Sequence, residues 1–207
     1  MRVLIGCESS GVVREAFRAR GHDAYSCDLL PADDRSPWHI QDDVISVING
    51  GRIWDLAIFH PPCTRLANSG VLRLYLEGKA RNGVDETKWQ DMEQAAAFFL
   101  TLWRAPIDKV AIENPILHGY AIRILGVQPH QIIQPYDYGH PESKATCLWL
   151  KNLPPLWPTK ILPLPSRGYW DNQTASGQNR LSPSPDRWKK RARTYEGIAT
   201  AMAEQWT

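Results

Sequence analysis

Short apolar runs that alternate with helical patterns constrain the fold of this chain more than any other feature. Strands are predicted at residues 2–7, 24–27, 54–59 and 109–112, and helical patterns fill the intervals between them. Such alternation is typical of an open, largely parallel sheet. Two further strands, at residues 131–134 and 145–150, have no helix between them. We therefore expect a Rossmann-like α/β fold, with a mostly parallel sheet and an antiparallel edge pair.

The composition changes after Lys151, although 207 residues are enough for one domain with a sizeable core. Residues 154–185 are rich in proline, which predicts an extended, irregular segment. Residues 194–206 have the pattern of an amphipathic helix. We expect a main domain at residues 1–151, a proline-rich segment at 152–193, and a closing helix at 194–207 that packs back on the main domain.

The hydrophobic pattern argues against a membrane protein and against an exported one. No uninterrupted apolar run approaches the roughly 20 residues that a membrane helix needs. The N-terminal sequence MRVLIGCESSG turns polar too early for a signal peptide. We therefore expect a cytoplasmic protein that does not bind a membrane.

The four cysteines are widely spread and include no Cys-x-x-Cys pair. A zinc knuckle needs such close pairs, and a disulfide framework needs an oxidising compartment. We therefore expect four free thiols and no metal ion. A zinc deaminase is also excluded, because its Pro-Cys-x-x-Cys signature would need a cysteine where Leu66 stands.

Positive charge is concentrated near the C-terminus. Residues 167–193, here called the basic segment, hold seven basic and two acidic residues, whereas the whole chain has a net charge of +2. A basic stretch on a near-neutral body predicts a polyanionic partner, and a solvated loop is the alternative. The candidate DNA contacts are Arg167, Arg180, Lys189, Lys190 and Arg191. The aromatic residues of the segment, Tyr169, Trp170 and Trp188, either stack on bases or fix the segment to the core.

Unusual residues follow the predicted strands at their carboxyl ends, where open α/β sheets bind ligands. The first strand runs into Gly6-Cys7-Glu8-Ser9-Ser10-Gly11, and the second ends at Asp28, which is well placed to bind ribose hydroxyls. Two later strands run into His60-Pro61-Pro62-Cys63 and into Glu113-Asn114-Pro115. Each signal is weak by itself, and their order along the chain is the informative part.

In this order the residues resemble the DNA cytosine-5 methyltransferases, across roughly three quarters of the chain. The turn at residues 6–11 resembles the family's first motif for S-adenosylmethionine (SAM), and residues 39–43 resemble the segment that contacts the adenine. Pro61-Pro62-Cys63 matches the nucleophile motif, Glu113-Asn114 matches the motif that grips the cytosine, and residues 138–144 resemble an Arg-bearing stretch. The resemblance implies a methyltransferase fold that binds SAM through Gly6, Cys7, Glu8, Ser9, Gly11, Asp28, Asp43 and Pro61.

The resemblance also implies a mechanism, with residues 1–151 as the catalytic domain. Cys63 would attack C6 of a cytosine flipped out of DNA, which makes C5 nucleophilic. Glu113 would bind N3 and the amino group, and a raised pKa of this carboxyl group would help it to supply a proton. Lys144 would contact the base or a phosphate. The compact size is typical of the phage-type branch.

Two departures from the family bear on specificity. Lys144 and Thr146 replace the usual pair of arginines, so the bidentate guanidinium contact is lost. The proline-rich segment replaces a full target-recognition domain, so specificity is low or comes from a protein partner. We expect the basic segment to form a second wall of a DNA cleft, on a different lobe from the SAM pocket.

Other interpretations are open from the sequence. Cys63 could be a buried thiol in a turn after a strand, and Glu113-Asn114-Pro115 could begin a helix. The chain could be a catalytically silent DNA-binding protein that kept the fold. It could also be an enzyme that modifies a free cytosine nucleotide or adds a group other than methyl.

Overall fold

A computed structural model describes residues 1–182 and 184–207, without the side chains of Trp188 and Lys190. The predicted DNA contact of Lys190 and the predicted stacking of Trp188 therefore lie outside the described residues. Among those that are described, no helix has both the length and the apolar character needed to cross a bilayer.

The described strands form one seven-stranded sheet in the order β3-β2-β1-β4-β5-β7-β6. The strands are β1 (Arg2–Gly6), β2 (Asp23–Asp28), β3 (His39–Gln41), β4 (Leu56–Phe59), β5 (Lys109–Pro115), β6 (Gln131–Ile133) and β7 (Thr146–Lys151). The first five strands in this order are parallel to one another, and β7 is antiparallel to both β5 and β6. The predicted α/β fold, with a mostly parallel sheet and an antiparallel edge pair, is confirmed.

Helices cover both faces of the sheet. They are α1 (Val12–Arg18), α2 (Val44–Asn49), α3 (Glu86–Trp103), α4 (Gly119–Leu125), α5 (Arg187–Ala192) and α6 (Glu196–Gln205). Alternate residues of β1 divide between the two cores, because side chains alternate across a strand. Leu4 packs with α2, α3 and α4, whereas Val3 and Ile5 pack with α1 and α6.

Two local predictions are corrected by the structure. The strand predicted to end at Ile112 continues to Pro115, because Glu113 and Asn114 pair with β7. The helix after it begins only at Gly119 and is capped by His118, which rules out Glu113-Asn114-Pro115 as a helix start. Residues 64–86, whose many polar residues indicate a loop between β4 and the next helix, contain the short 3₁₀ helices Asn68–Leu74, Leu76–Gly78 and Ala80–Asn82.

The C-terminal part folds back along the domain. Helix α6 packs on α1 through Ile198 and Met202, which are buried. The indole N–H of Trp206 donates to the carbonyl of Pro154, at 2.9 Å, and so joins the end of the chain to the start of the proline-rich segment.

Candidate active site

The carboxyl ends of β2, β1, β4 and β5 are neighbours along one edge of the sheet. Parallel strands bring their ends to the same edge. The turn at residues 6–11, Asp28, the stretch from His60 to Cys63, and Glu113 therefore lie along this edge. The structure brings these predicted residues together as two adjoining groups.

Cys63 is held beside β5 by backbone contacts. The side-chain amide of Asn114 donates to the carbonyl of Pro61, at 3.0 Å, and ties the end of β4 to β5. The carbonyl of Cys63 accepts hydrogen bonds from the amides of Leu66 and Ala67, which turns the chain away directly after the thiol. The thiol group itself is half-buried.

Glu113 is enclosed by two partners on one carboxylate oxygen. Its Oε2 lies 3.2 Å from Nδ1 of His60, and each of these side chains is only 11% exposed. The hydroxyl of Thr194, in the stretch before α6, donates to the same oxygen at 3.2 Å. Neither His60 nor Thr194 is predicted as a site residue from the sequence.

The surroundings of the His60–Glu113 pair favour a proton on the imidazole. Burial alone would raise the pKa of Glu113, but the hydrogen bond and charge of His60, with Lys144 and Thr194, hold this pKa below its ordinary value. Burial would lower the pKa of His60, but Glu113 and then Glu8 raise it above its ordinary value. The pKa of Glu113 is thus shifted in the direction opposite to the one that would help it to supply a proton.

Cys63 lies within the electrostatic reach of three other candidate residues. Burial and the charge of Glu113 raise the pKa of its thiol, whereas its own backbone amide, Arg191 and Lys144 lower it, and the pKa stays above its ordinary value. Arg191, predicted only as a DNA contact, therefore acts on the thiol from α5. Lys144 is placed by its backbone amide, which donates to Oε1 of Gln134 at 3.0 Å.

The second group lies at the ends of β1 and β2. Burial raises the pKa of the Cys7 thiol to about 12, with further contributions from Asp28, Cys27 and Asp43, so these four side chains are close together. One oxygen of Asp28 accepts from the amide of Leu30 at 2.9 Å, and one oxygen of Asp43 caps α2 through the amide of Ile45. Leu29 is 72% exposed beside Asp28.

This second group has the features of a nucleoside-binding site. Carboxylate oxygens are acceptors for ribose hydroxyls, and an exposed apolar side chain offers a surface for an aromatic base. Asp28, Asp43 and Leu29 supply these features at the carboxyl edge of the sheet. In contrast, no three His, Cys, Asp or Glu side chains in the described part of the chain are arranged to hold a metal ion.

Two glycines of the first turn have structural reasons to be glycine. A Cβ atom on Gly6 would lie 2.5 Å from the ring of Phe59, so the close packing of β1 on β4 requires its absence. Gly11 has a φ of 71°, a left-handed conformation that other residues adopt only with strain. Gly6 and Gly11 therefore shape the turn through packing and conformation.

Glu8 stabilises the start of α1. Its carboxylate accepts hydrogen bonds from the amides of Val13, at 2.9 Å, and Arg14, at 3.4 Å, and is nearly buried. The N-terminus of α1 is thus capped by Glu8, and the hydroxyl of Ser10 also accepts from the amide of Val12, at 3.4 Å. Ser9 instead offers its carbonyl to the amide of Asp33, at 2.9 Å.

Arg14 is a fully buried cation that organises the loop after β2. Its guanidinium donates to the hydroxyl of Ser26, at 2.7 Å, and pairs with Asp34. Ser26 in turn contacts Nδ1 of His39 at 2.8 Å. The sequence alone favours a solvent-exposed arginine at this position, because an arginine is seldom fully buried. Arg14 nevertheless lies on the apolar face of the helix.

The basic segment is fixed to the domain at several points. Trp170 is 5% exposed and stacks on Tyr136, so it anchors the segment to the core and is not free to stack on bases. Asn172 donates to the carbonyl of Ser143, at 2.9 Å, and accepts from its amide. The guanidinium of Arg167 pairs with Asp171 and lies over the ring of Tyr169.

Two of the predicted DNA contacts lie in different surroundings. Arg180 is exposed, and its backbone amide donates to the carbonyl of Asn172. Nζ of Lys189 lies 2.6 Å from Oδ1 of Asp33, in the loop after β2. The basic segment therefore reaches the side of the site where the cofactor is expected, whereas the sequence predicts that the two regions lie on different lobes.

No protein-family model matches the chain, and no curated protein matches its sequence. The chain is similar to a solved structure of a presumed DNA modification methyltransferase encoded within a prophage (E. coli), with a TM-score of 0.49, 16% identity, and coverage of 79% of this chain and 52% of that chain. It is also similar to a mutant of DNMT2 from Spodoptera frugiperda, with a TM-score of 0.39, 16% identity, and coverage of 78% of this chain and 53% of that chain. This chain thus spans about half the length of both structures.

Proposed function

We propose that the chain is a SAM-dependent methyltransferase of the DNA cytosine-5 type. The observation that carries the proposal is the position of Cys63 and Glu113 at the ends of neighbouring strands, within electrostatic reach of each other. A thiol and a carboxyl group on adjacent strand ends can meet the two edges of one pyrimidine ring. The carboxylates of Asp28 and Asp43 lie along the same edge of the sheet, where a nucleoside cofactor would bind.

The residues of this chain have separate roles in the reaction. The thiolate of Cys63 forms a bond to C6, and the electron pair of the C5–C6 double bond moves to C5. Glu113 binds the N3 edge of the ring and supplies a proton there as the bond to Cys63 forms. Lys144 and Arg191 favour the thiolate, because their charges lower the pKa of Cys63. When bound, SAM supplies an electrophilic methyl group for C5, and loss of the C5 proton then allows Cys63 to leave.

DNA is the proposed partner, held by the exposed cations of the basic segment. Arg180 and Arg191 are exposed, and Arg191 lies close enough to affect the thiol. Contacts from such side chains to phosphates give affinity with little sequence information. Since the basic segment is short, we propose that a protein partner supplies target specificity or that specificity is low.

A covalent-trapping experiment tests this function. DNA that contains 5-fluorocytosine, incubated with the protein and SAM, should give an adduct that survives denaturation, because fluorine at C5 prevents the final elimination. Cys63→Ala should abolish the adduct, whereas Cys147→Ala, at a buried thiol on β7, should retain it.

Other outcomes identify the competing functions. An adduct with 5-fluorocytosine nucleotide but not with DNA would show a nucleotide-modifying enzyme. Salt-sensitive DNA binding without any adduct, and without heat on titration with SAM, would show a catalytically silent DNA-binding protein. Either result would overturn the proposed function.

A further inference from the structure

His60 is a buried titratable residue with no role in the mechanism described above. It follows β4 directly, three residues before Cys63, and its Nδ1 lies 3.2 Å from Oε2 of Glu113. Its other ring nitrogen, Nε2, is buried and has no hydrogen-bond partner among the described residues. A fully enclosed histidine that contacts a carboxylate at a ligand-binding edge is placed for proton chemistry rather than for packing.

The groups around His60 define its charge. Glu113 from β5 and Glu8 from the first turn favour the protonated imidazole, whereas burial and Lys144 oppose it. Thr194 donates a hydrogen bond to the same oxygen of Glu113 that His60 contacts. A carboxylate oxygen can accept both of these hydrogen bonds. Within the described part of the chain, the imidazole therefore contacts one carboxylate and is affected by the charges of a second carboxylate and one cation.

The proposed reaction needs a proton on the carboxyl group of Glu113, but Glu113 is ionised in the structure. Lys144 acts on Glu113 through its charge. His60 contacts Glu113 directly and carries a proton on Nδ1 when Glu113 is ionised. The pair thus holds one proton that either member can carry.

We propose that His60 is the proton store of this site, which fixes the Glu113 carboxylate through Nδ1 and supplies the proton that Glu113 passes to N3 of a bound cytosine. This inference rests on the proposed function. The proton leaves Nδ1 for the carboxylate, and the carboxyl group gives it to N3 while the thiolate of Cys63, already deprotonated, bonds to C6. The products are a neutral imidazole, an ionised Glu113 and a neutral ring adduct. His60 is a positioning residue here, because it acts on the base through Glu113.

The first test measures the proton without substrate. Nitrogen-15 NMR of the histidine rings, with His60 assigned by comparison with His60→Asn, should show that more than half of His60 is protonated at pH 6.5. The reason is that the pKa of His60 is raised. In Glu113→Gln the His60 pKa should fall below its ordinary value, since burial then dominates. A neutral His60 in the wild type at pH 6 would overturn the inference, whatever the activity of the protein.

The second test uses the rate of adduct formation on 5-fluorocytosine DNA across pH. Asparagine at position 60 keeps a donor in the place of Nδ1 but does not titrate. In His60→Asn the fall in rate on the alkaline side of the pH–rate profile should occur about one pH unit lower than in the wild type. The reason is that Glu113 alone must then retain the proton. His60→Ala should lose the positioning contact too, and should react more slowly than His60→Asn at every pH.

The two proposals fail in different ways. No adduct in the wild type at any pH would refute the proposed function. An adduct whose alkaline limb stays unshifted in His60→Asn, with only a uniform loss of rate, would show that His60 has a purely structural role. A KM for DNA close to the wild-type value in His60→Asn would support a role in the chemical step.

Discussion

Lys189 of α5 and Asp33 of the loop after β2 form an ion pair, with 2.6 Å between Nζ and Oδ1. The pair joins the basic segment to the loop that follows the proposed ribose-binding Asp28. Both side chains are partly exposed, so the pair contributes less than about 1 kcal/mol to stability. The pair instead holds the basic segment against this loop, so that a change in the segment can affect the side of the site proposed for SAM.

Asp33→Asn should therefore strengthen DNA binding and make it more sensitive to salt. Removal of the carboxylate frees Lys189 for a phosphate, which should steepen the log–log salt dependence by up to about one unit. Fluorescence anisotropy with a labelled duplex at several salt concentrations measures this slope. Asp23→Asn removes an equal charge at the start of β2, where Asp23 pairs with Arg52, and should leave the slope unchanged. Equal slopes in wild type and Asp33→Asn would contradict the prediction.

The reactivity of Cys63 should depend on Lys144 and Arg191. Both cations lower the pKa of the thiol, so Lys144→Met or Arg191→Met should slow alkylation by iodoacetamide at pH 8 by about two- to tenfold. Peptide mass spectrometry follows the modified site. Lys109→Met changes a cation at the opposite end of β5 and serves as the control. Cys7 and Cys27, whose pKa values are raised to about 12, should react much more slowly than Cys63.

Gly197→Ala should loosen the closing helix. A Cβ at this position would lie 2.0 Å from the carbonyl oxygen of Tyr138, and the Gly197 amide donates to Nε2 of His140 at 2.9 Å. Overpacking of this kind costs about 1–3 kcal/mol in the free energy of unfolding, which urea denaturation measures. Gly119→Ala, at the start of α4, meets no atom within 4 Å and should have little effect. Similar stability of the two variants would refute the close contact.

Much of the fold could be predicted from local patterns, because buried parallel strands appear as short apolar runs bounded by turns. The mostly parallel sheet and the placement of Cys63 and Glu113 at adjacent strand ends followed from that pattern and the resemblance. The contacts of Glu113 could not, because His60 and Thr194 come from positions 53 residues before and 81 residues after it in the chain. Periodicity carries no information on such pairings.

The extent of β5 was missed, and the role of Trp170 was left open, for the same reason. Glu113 and Asn114 remain in the strand because β7 offers them antiparallel partners, which only the tertiary structure supplies. Trp170 stacks on Tyr136 of a distant turn, so an aromatic residue among cations proved to be an anchor. An isolated aromatic residue in a basic stretch is compatible with both roles.

The His60–Glu113 pair should give the folded protein a stability maximum in mildly acidic solution. The folded pKa of His60 is raised, so its contribution is fully present below the ordinary value of 6.5 and is lost as pH rises through the folded value. The folded pKa of Glu113 is lowered, so its contribution is present above 4.5 and is lost as pH falls through the folded value. Both contributions are therefore present together between pH 4.5 and 6.5.

Urea denaturation from pH 4 to pH 9 should show this window as a difference between variants. The wild type should have a larger free energy of unfolding than the double variant His60→Asn/Glu113→Gln. This difference should be largest between pH 4.5 and 6.5 and smaller at pH 9. The same substitution at His22, which contacts the N-terminal amino group at the other edge of the sheet, should give no maximum there. Burial lowers the pKa of His22, so its contribution is instead lost as pH falls. A difference that is constant across pH would show that the His60–Glu113 contact does not share a proton.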